Sequence, residues 1–247
     1  MGLFGKTRYL DPNVEDWCLE TWGWLMANLG AQPGQRLALV TPTPEFFPPT
    51  AAEGHERALY LFERVKTLMG LADFACELEV FSRKARPQRV GLFGKDEREE
   101  TPGGAYRLED GKAVIAYAAD LVARPETLIA TLSHELARAR LAAIPGDVPG
   151  GVEFGELATE LALAFCGFGL FGLGGAYQPV KPRNPFAQRE IAFPEPIWAF
   201  SVALFAALRG IEVPKAGLKP APADLTLKAE RYFKRNQDLL EPLRAVA

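Results

Sequence analysis

The amino-acid sequence predicts an α+β protein that is predominantly helical. Long stretches in which apolar side chains recur at helical spacing carry most of this prediction. Two short stretches differ: residues 76–81 alternate apolar and polar side chains, as in a half-buried strand, and residues 113–117 form an apolar strand-like run. The chain has 247 residues, 48% hydrophobic and 24% charged, which is enough to bury a full core. We therefore expect residues 1–247 to form a single domain.

The N-terminal third is predicted to contain two helices separated by a strand and a rigid loop. Asn13 is a suitable N-cap for a first helix over residues 14–29, and Gly30 ends it. Residues 36–40 are mostly apolar and are followed by a run of prolines, which indicates a short strand leading into a loop. A second helix is expected over residues 53–69, where apolar side chains return every three or four positions.

The middle of the chain is predicted to hold two strands and one long helix. Residues 82–104, after the alternating strand, are polar and charged and contain glycine and proline, so we expect an exposed loop. A turn then introduces the apolar strand at residues 113–117. That strand leads into a helix over residues 125–144, and Pro125 is suited to its first position.

The C-terminal part is predicted to be helical. A helix is expected over residues 153–173. Residues 161–177 carry no charge and could be taken for a membrane span. Their five glycines instead favour a buried helix that runs into a turn. A proline-rich loop over residues 178–196 precedes an apolar helix at 196–208, and an amphipathic helix at 224–240 ends the chain.

Charge and cysteine content exclude several classes of function. The net charge of −3 and the pI near 5.6 argue against a nucleic-acid partner, which requires a basic surface. Cys18, Cys76 and Cys166 are too few, and odd in number, for a disulfide framework. The first six residues lack the apolar core of a signal peptide. These features predict a cytoplasmic protein without a membrane span.

The helix over residues 125–144 contains the most informative motif of the chain, Ser133-His134-Glu135-Leu136-Ala137-Arg138. Residues four apart on a helix share a face, so His134 and Arg138 project together with Glu135 beside them. In the intact His-Glu-x-x-His arrangement two imidazoles bind zinc and the glutamate activates the bound water. A third ligand comes from a later helix, and Glu156 and Glu160 offer two carboxylates one turn apart.

Residues 113–176 resemble the core of a gluzincin-like metallopeptidase, with an edge strand, a His-Glu-x-x-His-type helix and a following glutamate-bearing helix. The resemblance implies a zincin-like core at about residues 105–176, in which this helix packs on the glutamate-bearing one. An N-terminal α/β part and a C-terminal helical part would flank it. The roles it implies for individual residues are a zinc ligand at His134, a general base at Glu135, a third ligand at Glu156 and a supporting carboxylate at Glu160.

Arg138 departs from this pattern. Arginine stays protonated in proteins and has no lone pair to donate to zinc, so one ligand is missing. One interpretation is that Arg138 supplies positive charge for Glu156 and Glu160 in place of the metal. The protein would then be a pseudo-peptidase that binds a peptide or protein and needs no cofactor.

Two other interpretations stay open. In the first, the protein is an active metal-dependent peptidase, in which His134 and Glu156 hold zinc with help from Glu160, His55 or water, and Glu135 acts as the base. In the second, it is a helical interaction protein unrelated to zincins. Adjacent helices at 125–144 and 153–173 would argue against that last interpretation. The sequence predicts no oligomeric state.

Overall fold

The computed structural model describes residues 7–30, 38–82, 103–110, 112–174, 193–215 and 217–245. Within this part of the chain the protein has a small sheet and a larger helical part, which confirms the predicted α+β, predominantly helical class. The strands are β1 (Cys76–Phe81), β2 (Gly104–Glu109) and β3 (Lys112–Ala118). The helices are α1 (Pro12–Leu29), α2 (Gly54–Met69), α3 (Pro125–Ala142), α4 (Gly155–Phe165), α5 (Gly169–Leu173), α6 (Glu195–Arg209), α7 (Pro220–Arg235) and α8 (Glu241–Arg244).

The sheet has the strand order β1-β3-β2, with β1 parallel and β2 antiparallel to β3. The predicted strand 76–81 is confirmed at both ends. The strand predicted at 113–117 lies in the centre of the sheet, so its interpretation as the edge strand is wrong. The edge beside α3 is β2, which the sequence did not predict. Its own alternation is weak, and its pairing with β3 stabilises it instead.

The predicted strand at residues 36–40 is also corrected. Residues 36 and 37 lie outside the described part of the chain, and residues 38–40 are not in a strand. The Val40 N–H donates instead to the carbonyl of Gly167, at 2.9 Å. Gly167 has a φ of +90°, and a Cβ there would lie 2.1 Å from the Ala38 carbonyl oxygen. This segment therefore packs as irregular backbone against the turn after α4.

Helix positions agree well with prediction, and helix ends agree less well. Helix α1 begins two residues before the predicted start because Asp11, and not Asn13, is the N-cap. The helix predicted at 153–173 is divided into α4 and α5 by the turn at Gly167. The helix predicted at 224–240 runs from Pro220 to Arg235 and is followed by separate short turns. Much of the predicted loop at 178–196 lies outside the described residues.

The core joins the sheet to the C-terminal helices. Helix α6 packs against α4, α5 and α7, and α3 packs against α2, α4 and the sheet. Large fully buried side chains fill this core: Trp22, Phe62, Tyr117, Phe168, Phe200, Phe205 and Phe233. Of the helices that the structure describes, none combines the length and the apolar character that a membrane crossing requires. The cysteines are free, as predicted.

Arg140 ties α3 to the ends of two other helices. Its Nη2 donates to the carbonyl of Leu29 at 2.9 Å, and its Nη1 donates to the carbonyl of Met69 at 3.3 Å. These carbonyls belong to the last residues of α1 and α2, where helical partners are lacking. The positive charge of Arg140 also interacts favourably with the negative end of each helix dipole. Arg140 thus fixes the C-terminal end of α3 against the ends of α1 and α2.

Candidate functional site

The motif residues lie in the middle of α3, where this helix is most enclosed. Leucines at helical spacing, Leu128, Leu132 and Leu136, are fully buried and hold α3 in the core. His134 is 1% exposed and Glu135 is 4% exposed. Helix α4, which carries Glu156 and Glu160, packs directly against α3. The adjacency that would argue against an unrelated helical interaction protein is therefore present.

Arg138 lies at the point where the other site residues converge. Its Nη2 donates to Glu156 Oε2 at 2.6 Å and to His134 Nε2 at 3.2 Å. Its Nη1 donates to Glu135 Oε2 at 3.3 Å. The Arg138 side chain is 33% exposed and that of Glu156 is 71% exposed, so this ion pair opens to solvent. One guanidinium therefore serves two buried acceptors on α3 and one exposed carboxylate on α4.

His134 is oriented by groups on both of its nitrogens. Arginine can only donate, so Nε2 must present its lone pair to Arg138. A neutral ring then carries its proton on Nδ1, which lies 3.5 Å from Glu160 Oε2. That distance is an electrostatic contact and is long for a hydrogen bond. Glu160 is thus next to His134, while Arg138 pairs with Glu156 and Glu135.

Glu135 is the most enclosed carboxyl group of this cluster. Burial raises its pKa, because desolvation penalises the carboxylate more than nearby His134 and Arg138 favour it. Glu156 contributes to the rise, and the backbone N–H of Tyr106 on β2 opposes it. A general base for hydrolysis needs a carboxylate that is open to water and substrate. This one is enclosed between a helix and a strand.

Strand β2 approaches α3 closely at Gly104. A Cβ on Gly104 would lie 2.5 Å from Thr131 Cγ2 and 3.1 Å from Glu135 Cγ, so only a glycine fits without a shift. The sequence prediction placed Gly104 in a loop and did not include Gly104, Tyr106 or Thr131 in the site. The Gly103-Gly104 pair before an Ala-Tyr step is the only signal that could have revealed this contact.

His55 does not replace the missing ligand in the described structure. Its Nδ1 is 3.0 Å from the Tyr117 hydroxyl, and the two rings stack with an interplanar angle of 6°. Tyr117 lies on β3, and burial raises the pKa of its hydroxyl. Among the described residues, no three His, Cys, Asp or Glu side chains are grouped to hold a metal.

The residues present do not fit the zinc ion that the resemblance implies. The lone pair of His134 Nε2 and the Glu156 carboxylate both point at Arg138 Nη2. A metal and a permanently charged guanidinium cannot share this position. His134 and Glu156, two of the three expected ligands, are therefore already engaged by Arg138, which stands where the remaining ligand would be.

No family model matches the chain, and neither a curated protein nor a solved structure is found to match it. The geometry of the site and its local sequence pattern are the grounds on which a function can be assigned.

Proposed function

We propose that this protein is a metal-free relative of zincin-type metallopeptidases, with a cleft beside the former metal helix that binds a peptide or protein. The observation that supports the proposal is the position of Arg138. Its Nη2 lies between His134 Nε2 and Glu156 Oε2, two atoms that would meet at the metal in an intact motif. The guanidinium supplies a positive charge there without offering a coordination position.

The chemistry of the cluster favours binding over hydrolysis. In zinc peptidases the metal lowers the pKa of a bound water, which then attacks the peptide bond. A guanidinium does not lower the pKa of water to a comparable extent. Glu135, the expected base, is 4% exposed, accepts a hydrogen bond from Arg138 and is covered by β2 at Gly104. The exposed Glu156 carboxylate and the partly exposed guanidinium still offer an acceptor and donors to a polar partner.

Metal content tests this proposal directly. Protein purified without added metal is expected to contain far less than one zinc per chain by elemental mass spectrometry. One zinc per chain would overturn the proposal. The variant Arg138→His restores the missing imidazole and is expected to bind zinc at micromolar free concentration, while Arg138→Lys serves as the metal-free control. If Arg138→His binds no zinc at that level, the zincin-type geometry is wrong.

An activity assay separates this proposal from an active peptidase. Wild-type protein is expected to leave a fluorogenic mixture of short peptides uncleaved, with and without added zinc. Cleavage that disappears in Glu135→Gln, with the fold intact, would establish the metal-dependent alternative instead.

Binding is tested by selecting displayed random peptides on the wild-type protein. Enriched peptides should bind more weakly to Gly104→Ala, in which β2 is displaced from α3, and an absence of enrichment would count against a peptide-binding cleft.

A further inference from the structure

Glu15, in the first turn of α1, is a buried carboxylate outside the candidate site. Its side chain is fully buried, and a buried carboxylate is costly unless hydrogen-bond donors satisfy it. Its Oε2 accepts the backbone N–H groups of Tyr9 and Leu10, at 3.0 and 3.2 Å. Its Oε1 accepts from the hydroxyl of Tyr232 on α7 at 2.6 Å and from Nη1 of Arg8 at 3.4 Å. Glu15 therefore joins the segment before α1 to the C-terminal helical part.

Residues 8–10, which we call the strap, contact α6 and α7 through Tyr9. The Tyr9 ring stacks on Phe200 of α6 and lies beside Tyr232 of α7, with ring centroids 6.0 Å apart in both pairs. Its hydroxyl donates to the carbonyl of Leu225 on α7 at 3.0 Å. Phe200, Leu225 and Tyr232 thus line an aromatic groove between the two helices, and Tyr9 covers this groove.

The hydrogen bonds to Glu15 are of the strong, charge-assisted kind. Burial raises the pKa of the Tyr232 hydroxyl, and its hydrogen bond with Glu15 adds to the rise, so the phenol keeps its proton and donates it. Tyr9 and Leu10 belong to no helix or strand. Their N–H groups therefore receive from the carboxylate the acceptor that secondary structure would otherwise supply.

Helix α1 has a start of its own that does not depend on the strap. Asp11 is its N-cap, and the Asp11 Oδ1 accepts the N–H of Asn13 at 3.0 Å. Pro12 occupies the first helical position, where its fixed φ favours the helix. The strap can therefore detach without unwinding the helix that follows it.

Asp16, the next residue on α1, contacts the strap in a different way. Its carboxylate pairs with Arg8, but its side chain is 61% exposed. An exposed ion pair contributes little to stability because water competes for both charges. The two adjacent acids therefore separate a buried contact with the strap backbone from an exposed contact with one strap side chain.

We propose that the strap opens as a unit separate from the helices, and that Glu15 is the positioning residue that keeps it closed over the aromatic groove. With Glu15 in place, Tyr9 stays between α6 and α7. Without it, residues 8–10 detach and the rings of Phe200 and Tyr232 become accessible, while α1 and α7 stay folded. This role does not depend on peptide binding or on a zincin-type origin of α3.

NMR of the full-length protein tests this proposal through amide exchange and ring contacts. In Glu15→Ala the Tyr9 and Leu10 amides should exchange about tenfold faster or more, because both lose a charged acceptor. Nuclear Overhauser contacts between the Tyr9 and Phe200 rings should weaken in the same variant. The amides of Leu25 in α1 and Phe205 in α6 are internal references and should keep their wild-type rates.

Two further variants separate the buried contact from its neighbours. Tyr232→Phe keeps the ring and removes one donor to Glu15, so it should accelerate the strap amides less than Glu15→Ala does. Asp16→Asn is the matched control, and it should leave both strap amides within about twofold of wild type because its ion pair is exposed.

Several outcomes would overturn the proposal. Strap amides that exchange at the wild-type rate in Glu15→Ala would show that Glu15 does not hold them. Equal acceleration of the strap and reference amides would indicate general unfolding, and ring contacts that persist beside fast amides would show that the strap stays seated. An effect of Asp16→Asn as large as that of Glu15→Ala would also refute the role of burial. If Glu15→Ala does not fold, Tyr232→Phe against Asp16→Asn decides, with acceleration confined to the strap of Tyr232→Phe as the expected result.

Discussion

The contacts of Arg138 with Glu135, His134 and Glu156 predict different stability losses for two substitutions that disturb the same ion pair. Glu156→Gln removes only the exposed partner. Because the Glu156 side chain is 71% exposed, the loss should be about 0–1 kcal/mol. Arg138→Ala also deprives His134 Nε2 and the Glu135 carboxylate of their donor, and these groups are buried. A buried group without its partner costs about 1–3 kcal/mol.

Two such groups would cost about 2–6 kcal/mol together, but the loss for Arg138→Ala should stay in the lower half of that range. The Arg138 side chain is 33% exposed, so water can enter the space it leaves and partly satisfy both acceptors. We therefore expect Arg138→Ala to lower the free energy of unfolding by about 2–4 kcal/mol, with Arg138→Lys between it and wild type. Urea denaturation at pH 7, followed by circular dichroism, measures each value.

The order of the two losses is what tests the reasoning. If Glu156→Gln costs as much as Arg138→Ala, the exposed pair dominates and the guanidinium does not compensate the buried groups. The double variant adds a further check. Its loss should equal that of Arg138→Ala alone, because Glu156 has no role in the pair once the guanidinium is gone.

Three further predictions concern the surroundings of the site. Burial raises the pKa of Glu135 above its ordinary value of 4.5, so the folded state holds this proton more tightly and loses stability as pH rises through the raised pKa. The free energy of unfolding of Glu135→Gln minus that of wild type should therefore increase with pH from about 4.5 upward, and a pH-independent difference would contradict the shift. Gly104→Ala should cost about 1–3 kcal/mol because its Cβ meets Thr131 Cγ2, and Thr131→Ser, which removes that methyl group, should recover part of the loss in the double variant. Arg140→Leu should cost about 1–3 kcal/mol in urea denaturation and speed amide exchange in the last turns of α1 and α2, whereas equal acceleration throughout both helices would exclude a capping role.

Elements with strong local signals could be predicted from the sequence. Strand β1 was predicted at its observed ends because alternation of apolar and polar side chains specifies one face for burial. Helix α2 was predicted within one residue at its start and at its observed end. Its end is marked in the sequence because the apolar stripe stops at Gly70, which adopts the left-handed conformation that ends helices. Both elements carry the information for their structure within their own residues.

Elements that depend on distant partners could not be predicted. Strand β2 begins with a glycine and mixes polar and apolar residues, so its conformation is determined by hydrogen bonds to β3. The segment at 38–40 has apolar residues that suit a strand, yet it pairs with the backbone of Gly167, more than a hundred residues away. In both cases the deciding contact is non-local, and no periodic pattern within the segment reports it.

The same distinction applies to the candidate site. Helical spacing predicted that His134 and Arg138 share a face, and their 3.2 Å contact agrees with it. The spacing could not show which carboxylate each would meet, because that depends on the rotation of α4 about its axis. Arg138 was predicted to compensate Glu156 and Glu160 together. The structure places Glu156 at Arg138 and Glu160 at His134, and it also brings Glu135 to the guanidinium.

On the proposed zincin ancestry, this division of the carboxylates bears on how the helix could lose a metal and still fold. Zinc would screen the charges of several acidic groups at once, and its loss would leave buried carboxylates uncompensated. Here each group has a separate environment: Glu156 is exposed, Glu160 lies beside an imidazole, and Glu135 accepts from Arg138 and packs against β2 at Gly104. A single arginine at position 138 is sufficient because only one of the three carboxylates is both buried and dependent on it. Reversal by Arg138→His would then have to release Glu135 as well as admit zinc, so the restored site should bind metal more weakly than an intact one.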